Sequence, residues 1–274
     1  MERRAWKAAA KASVRSARGN PKQVTLIFLL AVVGMIAAEW ALSLLADNPG
    51  SGGQYLSQAL SAETRAYILV FLISLVFQFL LVLLAVGYGA MALSISREEP
   101  FSLDTLLTGF RLWSRGTLLY VYLSVLIGLL SSLLSLPASY VLTGLYMAEI
   151  VSENLLIVLI TVFTLLAMVV LSYRYRMVWF LLLDGPEKPV RQLVTEAKQC
   201  NRPFRWRLFL LDLSFLPWIA LCLLTCGVLF IWKLPYITAT YAHAYQDVLT
   251  DWEQRKRRME ALKEEQRQRF QMMN

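Results

Sequence analysis

The chain has little with which to do chemistry. One histidine stands in 274 residues, which excludes multi-histidine metal sites and histidine-relay hydrolases. The three cysteines, Cys200, Cys222 and Cys226, are odd in number and imply no disulfide framework. They read as small buried hydrophobes. GxSxG, HExxH and GxxxxGK[ST] are absent. The adjacent acids Glu98-Glu99 and Glu264-Glu265 lie on charged surface segments, where solvation explains them better than paired-carboxylate catalysis. Charge is scarce as well, at 17% of residues, where an average soluble domain carries ~25%. These shortages exclude a water-soluble enzyme and a disordered chain. The expectation is a protein with no catalytic, metal or cofactor site.

What is present instead is apolar sequence in long blocks, 57% of the chain. A bilayer core of ~30 Å takes ~20 apolar residues as helix. Residues 24–45, 66–95, 117–145 and 155–183 meet that length. The last apolar stretch is too long for one crossing and is interrupted by Thr225-Cys226-Gly227, with Pro217 and Pro235 on either side. It reads as a hairpin of two spans, 208–224 and 228–245. The predicted fold is all-α, a polytopic bundle of six spans. Five spans is the alternative, because the last segment contains Lys233, Thr238, Thr240 and His243.

Charge decides between them. Lys and Arg near span ends stay cytoplasmic, and six spans place 23 of the 27 basic residues on one side. Five spans would put the seven basic residues after Tyr245 outside. The termini are therefore expected inside, in a multi-pass plasma-membrane protein. The net charge of +8 needs no nucleic acid, since a basic face against anionic lipid accounts for it. The basic start precedes an apolar run too long for a cleaved leader, so that run is read as a retained first span.

Three parts follow: a basic amphipathic segment 1–22, a membrane domain 23–245 and a charged helical tail 246–274. Within them, three polar segments look like interfacial helices. Trp6, Ala10 and Val14 share a face of the first. Ser102 and Asp104 can cap the second, whose stripe is Leu103, Leu106, Leu107 and Phe110. Pro189 can start the third, with Val190, Leu193 and Ala197 on one face. A turn cluster follows each: Gly19-Asn20-Pro21, Ser114-Arg115-Gly116 and Asn201-Arg202-Pro203. The tail's apolar residues, Val248, Leu249, Trp252, Met259 and Leu262, suit a solvated helix that can also meet a protein partner.

Ionisable residues at membrane depth cost ~2.5–3.5 kcal/mol at mid-bilayer and so call for a partner or a purpose. Glu39 and Lys233 fall near the outer side and are a candidate ion pair. Asp212, Arg174, Arg176 and His243 fall near the inner side with Tyr173, Tyr175, Tyr241 and Tyr245. They either fix helix register or line a polar cavity for a lipid headgroup, a peptide or a proton.

Residues 205–215, Arg-Trp-Arg-Leu-Phe-Leu-Leu-Asp-Leu-Ser-Phe, are followed by Trp218, Thr225, Gly227, Trp232, Pro235-Tyr236, Ala242 and Tyr245. This pattern resembles the bacterial integral membrane family catalogued as domain of unknown function 975, found mainly in Firmicutes. A basic amphipathic start and a loop like Arg97-Glu98-Glu99-Pro100 are shared features. The resemblance implies six spans and a plasma-membrane location, and it makes Asp212 part of the family's most recognisable motif. It brings no established activity. The family also looks distantly similar to the membrane domain beside some glycerophosphodiester phosphodiesterases, although no catalytic domain is found in this sequence. Pro217 departs from the small residue common in relatives and is expected to kink the fifth span. The sequence thus supports a non-enzymatic membrane scaffold, or an accessory that handles lipid or peptide at the inner leaflet. The alternative is a small transporter or export component with a cavity around Asp212.

Overall fold

A computed structural model describes residues 2–46, 62–148, 152–225 and 227–273. Cys226, most of the expected outer loop 46–65 (47–61) and the middle of the expected outer loop 146–154 (149–151) lie outside the described residues. Every regular element among the described residues is a helix. In order they are α1 (Glu2–Arg15), α2 (Pro21–Ala46), α3 (Ala62–Ser96), α4 (Leu103–Leu106), α5 (Thr108–Arg111) and α6 (Trp113–Met147). Then come α7 (Glu153–Ser172), α8 (Val178–Asp184), α9 (Val190–Asn201), α10 (Arg205–Leu213), α11 (Leu216–Leu224) and α12 (Phe230–Met273).

Five stretches are long and apolar enough to cross a membrane: Pro21–Ala41, Ile68–Ser96, Trp113–Met147, Glu153–Ser172 and Arg205–Leu224. Their apolar windows in α2, α3 and α7 are only 11% buried within the protein. Side chains such as Leu30, Val33, Phe71, Val162 and Leu166 stand in the open. Water does not tolerate that much contiguous apolar surface, whereas a bilayer is solvated by it. The chain is a multi-pass membrane protein.

The helices fall into two compact units. One comprises Ala10–Thr117 and Ala220–Ala239. Its core joins Val24, Leu84, Tyr88, Met91, Ile95, Phe101, Leu106 and Ala239. Within this core the Tyr88 hydroxyl and Thr25 Oγ1 lie 2.7 Å apart, and Thr25 donates onward to the Pro21 carbonyl at 2.7 Å. A buried hydroxyl pair is tolerated because each member has a partner.

The second amphipathic segment forms α4 and α5. Ser102 caps α4 by accepting from the Asp104 N–H at 3.2 Å, and Thr105 returns a bond by accepting from the Ser102 N–H at 3.2 Å. The stripe divides between an inward and an outward side. Leu106 alone of the four is buried, while Leu103, Leu107 and Phe110 are exposed and available to lipid. Two glycines explain why. At Gly87 of α3 an added Cβ would overlap the Leu106 carbonyl, and at Gly109 of α5 it would overlap the Leu83 carbonyl. The two backbones touch directly, so the inward side of α4–α5 has no room for a leucine stripe. The third span also begins earlier than expected, since Ser114–Gly116 already belongs to α6.

At the end of α3 the Glu99 N–H bonds the Ser94 carbonyl at 2.9 Å and the Glu98 N–H bonds Ile95 at 3.3 Å. This is a Schellman cap, and Glu98 occupies its left-handed position with φ 57°. Glycine takes that conformation without the steric cost of a Cβ. Glu98→Gly should therefore stabilise the protein by ~1 kcal/mol, read as a rise in thermal midpoint.

The other unit comprises Met1–Ala9, Leu118–Ile219 and Thr240–Asn274. The expected fourth span is not continuous to 183. It ends at Ser172, residues 173–177 form turns, and α8 follows. The fully buried Asn201 holds this turn by donating from Nδ2 to the Arg174 carbonyl at 3.3 Å. On α9 the expected face is buried through Val190, Leu193 and Ala197, and Cys200 joins it. Burial pushes the Cys200 thiol up to about 12, leaving it inert as expected of a packing residue. Trp6 of α1 is buried and donates from Nε1 to Asp247.

The fifth span breaks between α10 and α11, at Ser214 and Phe215. Pro217 stands in the first turn of α11 and cannot supply the N–H that would continue α10. Gly227, at φ 84°, helps turn the chain into α12. That helix passes through Pro235 without interruption and runs into the tail.

Candidate functional site

The motif that carries the family resemblance puts Asp212 one residue before the end of α10. The turn after α7 brings Tyr173 and Arg176 to it, and α12 brings Tyr241. Arg176 binds the carboxylate in a fork, Nη2 to Oδ1 at 2.8 Å and Nη1 to Oδ2 at 2.8 Å. The Tyr241 hydroxyl donates to Oδ1 and the Tyr173 hydroxyl to Oδ2. The guanidinium also lies over both rings, 4.7 Å from the Tyr241 centroid and 5.2 Å from that of Tyr173. Each oxygen thus receives two donors, the full capacity of a carboxylate. Planar bidentate pairing is available to arginine and not to lysine.

The expected inner cluster is therefore brought together only in part. Arg176 and Asp212 meet, with Tyr173 and Tyr241. Arg174 is two residues from Arg176 and reaches a different neighbourhood, near Arg205. His243 is half-buried on α12, two residues beyond Tyr241 and so well round the helix from it. Tyr245 donates to Asp184 Oδ2 at 2.8 Å and stacks on Phe180 with centroids 5.2 Å apart.

Around the network, Phe215 packs edge-on to Tyr241 at 6.1 Å, and Lys7 of α1 lies 4.5 Å above the Phe215 ring. Burial, with the like charge of Arg3 added, holds the Lys7 ammonium below the ordinary lysine range. Residue order alone gave no sign that the amphipathic start docks here. Among the described residues no group of three or more His, Cys, Asp or Glu side chains could hold a metal ion.

The model of the family described as "Protein of unknown function (DUF975)" matches residues 1–251. The chain belongs to the DUF975 family. The match runs from α1 through most of the apolar part of α12, so the Asp212 network and both of its supporting elements lie inside the family's extent. No curated protein matches this DUF975 chain, and no solved structure does.

The candidate outer pair belongs to the first unit. Glu39 is half-buried near the end of the described part of α2, and Lys233 lies in the first turn of α12. Pairing of the two is a proposal with a direct check. Either single charge reversal should lower expression in the membrane, and Glu39→Lys combined with Lys233→Glu should restore it. A double variant no better than the singles would remove the pair.

Proposed function

We propose that this DUF975 chain is a non-enzymatic, six-span plasma-membrane protein that acts as a scaffold or accessory and handles lipid at the inner leaflet. Both termini then lie in the cytoplasm, and the tail is available to a protein partner. The observation that carries the reading is the saturation of Asp212. A carboxylate whose two oxygens already accept from Arg176, Tyr173 and Tyr241 is committed to holding these elements together, so the motif works as a clasp between helices. Asp212 meets Tyr241, and Cys222 lies within electrostatic reach of Lys233. These pairings converge on the turn at Gly227. They support a return crossing by the first part of α12, and hence six spans.

The test is mass spectrometry of lipids retained by the protein in native nanodiscs. Anionic phospholipids should be enriched over the surrounding membrane, in wild type and in whatever Asp212→Ala protein is recovered folded. Retained lipid identical in composition to the bulk membrane would overturn the lipid reading. A folded Asp212→Ala protein that loses a specific small-molecule flux would favour the transporter instead.

A further inference from the structure

Three arginines of the second-described unit gather where α9 turns into α10. Arg205 opens α10, Arg202 precedes it in the turn, and Arg174 comes from the turn after α7, where its carbonyl accepts from Asn201 Nδ2 of α9 at 3.3 Å. Both Arg174 and Arg202 act electrostatically on Arg205, and the remaining electrostatic partner of Arg205 is Tyr175. Like charges held together in this way repel, and half-burial of Arg174 and Arg205 weakens the solvent's ability to screen them. The Nε atoms of Arg174 and Arg205 are also buried with no hydrogen-bond partner among the described residues. Buried donors in native proteins are almost always satisfied, so these two donors call for an acceptor from outside those residues. No side chain caps the start of α10, whose free N–H groups add to the local positive potential.

The surface beside this cluster is apolar. Trp206, Phe209, Leu213 and Leu216 are 67%, 37%, 52% and 57% exposed. The spacing of Trp206, Phe209 and Leu213 puts these three along one face of α10, and Trp206 stacks on Phe209 with centroids 5.3 Å apart. A tryptophan at the polar end of a span sits at headgroup depth. Positive charge at the end of an exposed apolar stripe is complementary to one molecule in particular, an anionic phospholipid.

We propose that Arg174, Arg202 and Arg205 bind the phosphate of an anionic glycerophospholipid whose acyl chain lies along Trp206, Phe209 and Leu213. This deepens the lipid-handling reading above and rests on it. Arg174 and Arg205 supply the orphan donors, Arg202 closes the site from the exposed side, and the phosphate relieves the repulsion among all three. The site is separate from Asp212, whose arginine is already committed.

The test uses the full-length purified protein in detergent, titrated with phosphatidylglycerol, phosphatidylcholine or inorganic phosphate while the thermal midpoint is followed. Phosphatidylglycerol should raise the midpoint of wild type, and the other two should not. Arg174→Gln and Arg205→Gln should each weaken the phosphatidylglycerol response by roughly five- to tenfold in half-saturating concentration. Lipid-free, each variant should be at least as stable as wild type, because a repelling charge has gone. Arg191→Gln, an exposed arginine on α9, is the comparison and should respond like wild type. No response of wild type to phosphatidylglycerol overturns the proposal, as does an equal loss in Arg191→Gln, which would mean a diffuse basic face. An equal response to inorganic phosphate would replace the lipid with a free anion. Native-nanodisc lipid analysis separates the two levels. Anionic enrichment that survives Arg174→Gln/Arg205→Gln removes this site and keeps the lipid reading, whereas no enrichment in wild type removes that reading.

Discussion

Replacing Gly87 with alanine should all but eliminate folded protein from the membrane. The added methyl group would overlap the Leu106 carbonyl oxygen, and the nearest atoms behind it are backbone atoms of the same residue. A flexible side chain could swing away, but a peptide group on a short capped helix cannot move without breaking the cap at Ser102. Overpacking of cores typically costs 1–3 kcal/mol, and a backbone obstacle belongs at or above the top of that range, about 3 kcal/mol or more. Gly109→Ala meets the Leu83 carbonyl and should behave alike. Gly128→Ala is the control, because no atom lies within 4 Å of a Cβ placed there. The measurement is the monodisperse yield after extraction, followed by the thermal midpoint of what survives. Equal midpoints for Gly87→Ala and Gly128→Ala would mean that α4–α5 does not lie against α3 in this way.

Asp212→Ala should produce the next largest loss. Removing one partner of a buried ion pair leaves the other charge uncompensated, which costs 3–5 kcal/mol when burial is complete. Here the side chains of Arg176 and Asp212 are 33% and 21% exposed, so solvent recovers part of the penalty. About 2–3 kcal/mol is expected. Tyr173→Phe and Tyr241→Phe each remove one donor and should cost ~1 kcal/mol. The decisive measurement is a double-mutant cycle. Because the groups act as a unit, Asp212→Ala with Arg176→Ala should be little worse than either single change. Strict additivity would falsify the clasp.

Five of the expected spans were legible because twenty apolar residues in a row have few other uses. So were the buried faces of α1 and α9, since a period of 3.6 residues puts Trp6 and Ala10, or Val190, Leu193 and Ala197, on one side. Depth along a helix was enough to bring Asp212 near Arg176 and the tyrosines. Depth could not say that Arg174 goes elsewhere, because the residues 173–177 form turns and the helical periodicity that would relate the two arginines is lost. The break at Ser172 was hidden for a related reason. Residues 178–183 resume an apolar run, so hydropathy alone continues straight through. The α4–α5 stripe was legible as an apolar face, but two glycines without side chains decide that Leu106 alone of it goes inward.

Helix α12 runs unbroken from Phe230 to Met273. At 1.5 Å per residue, the part beyond Tyr245 is about 42 Å long. Met259, Leu262 and Phe270 are exposed along it. A rod of that length works as a stand-off. Any partner bound at these residues would be held away from the last buried turns at a spacing fixed by helix rise rather than by linker entropy. Lengthening it by one residue would rotate the partner by about 100°, whereas adding seven would carry it outward by about 10 Å at nearly the same bearing.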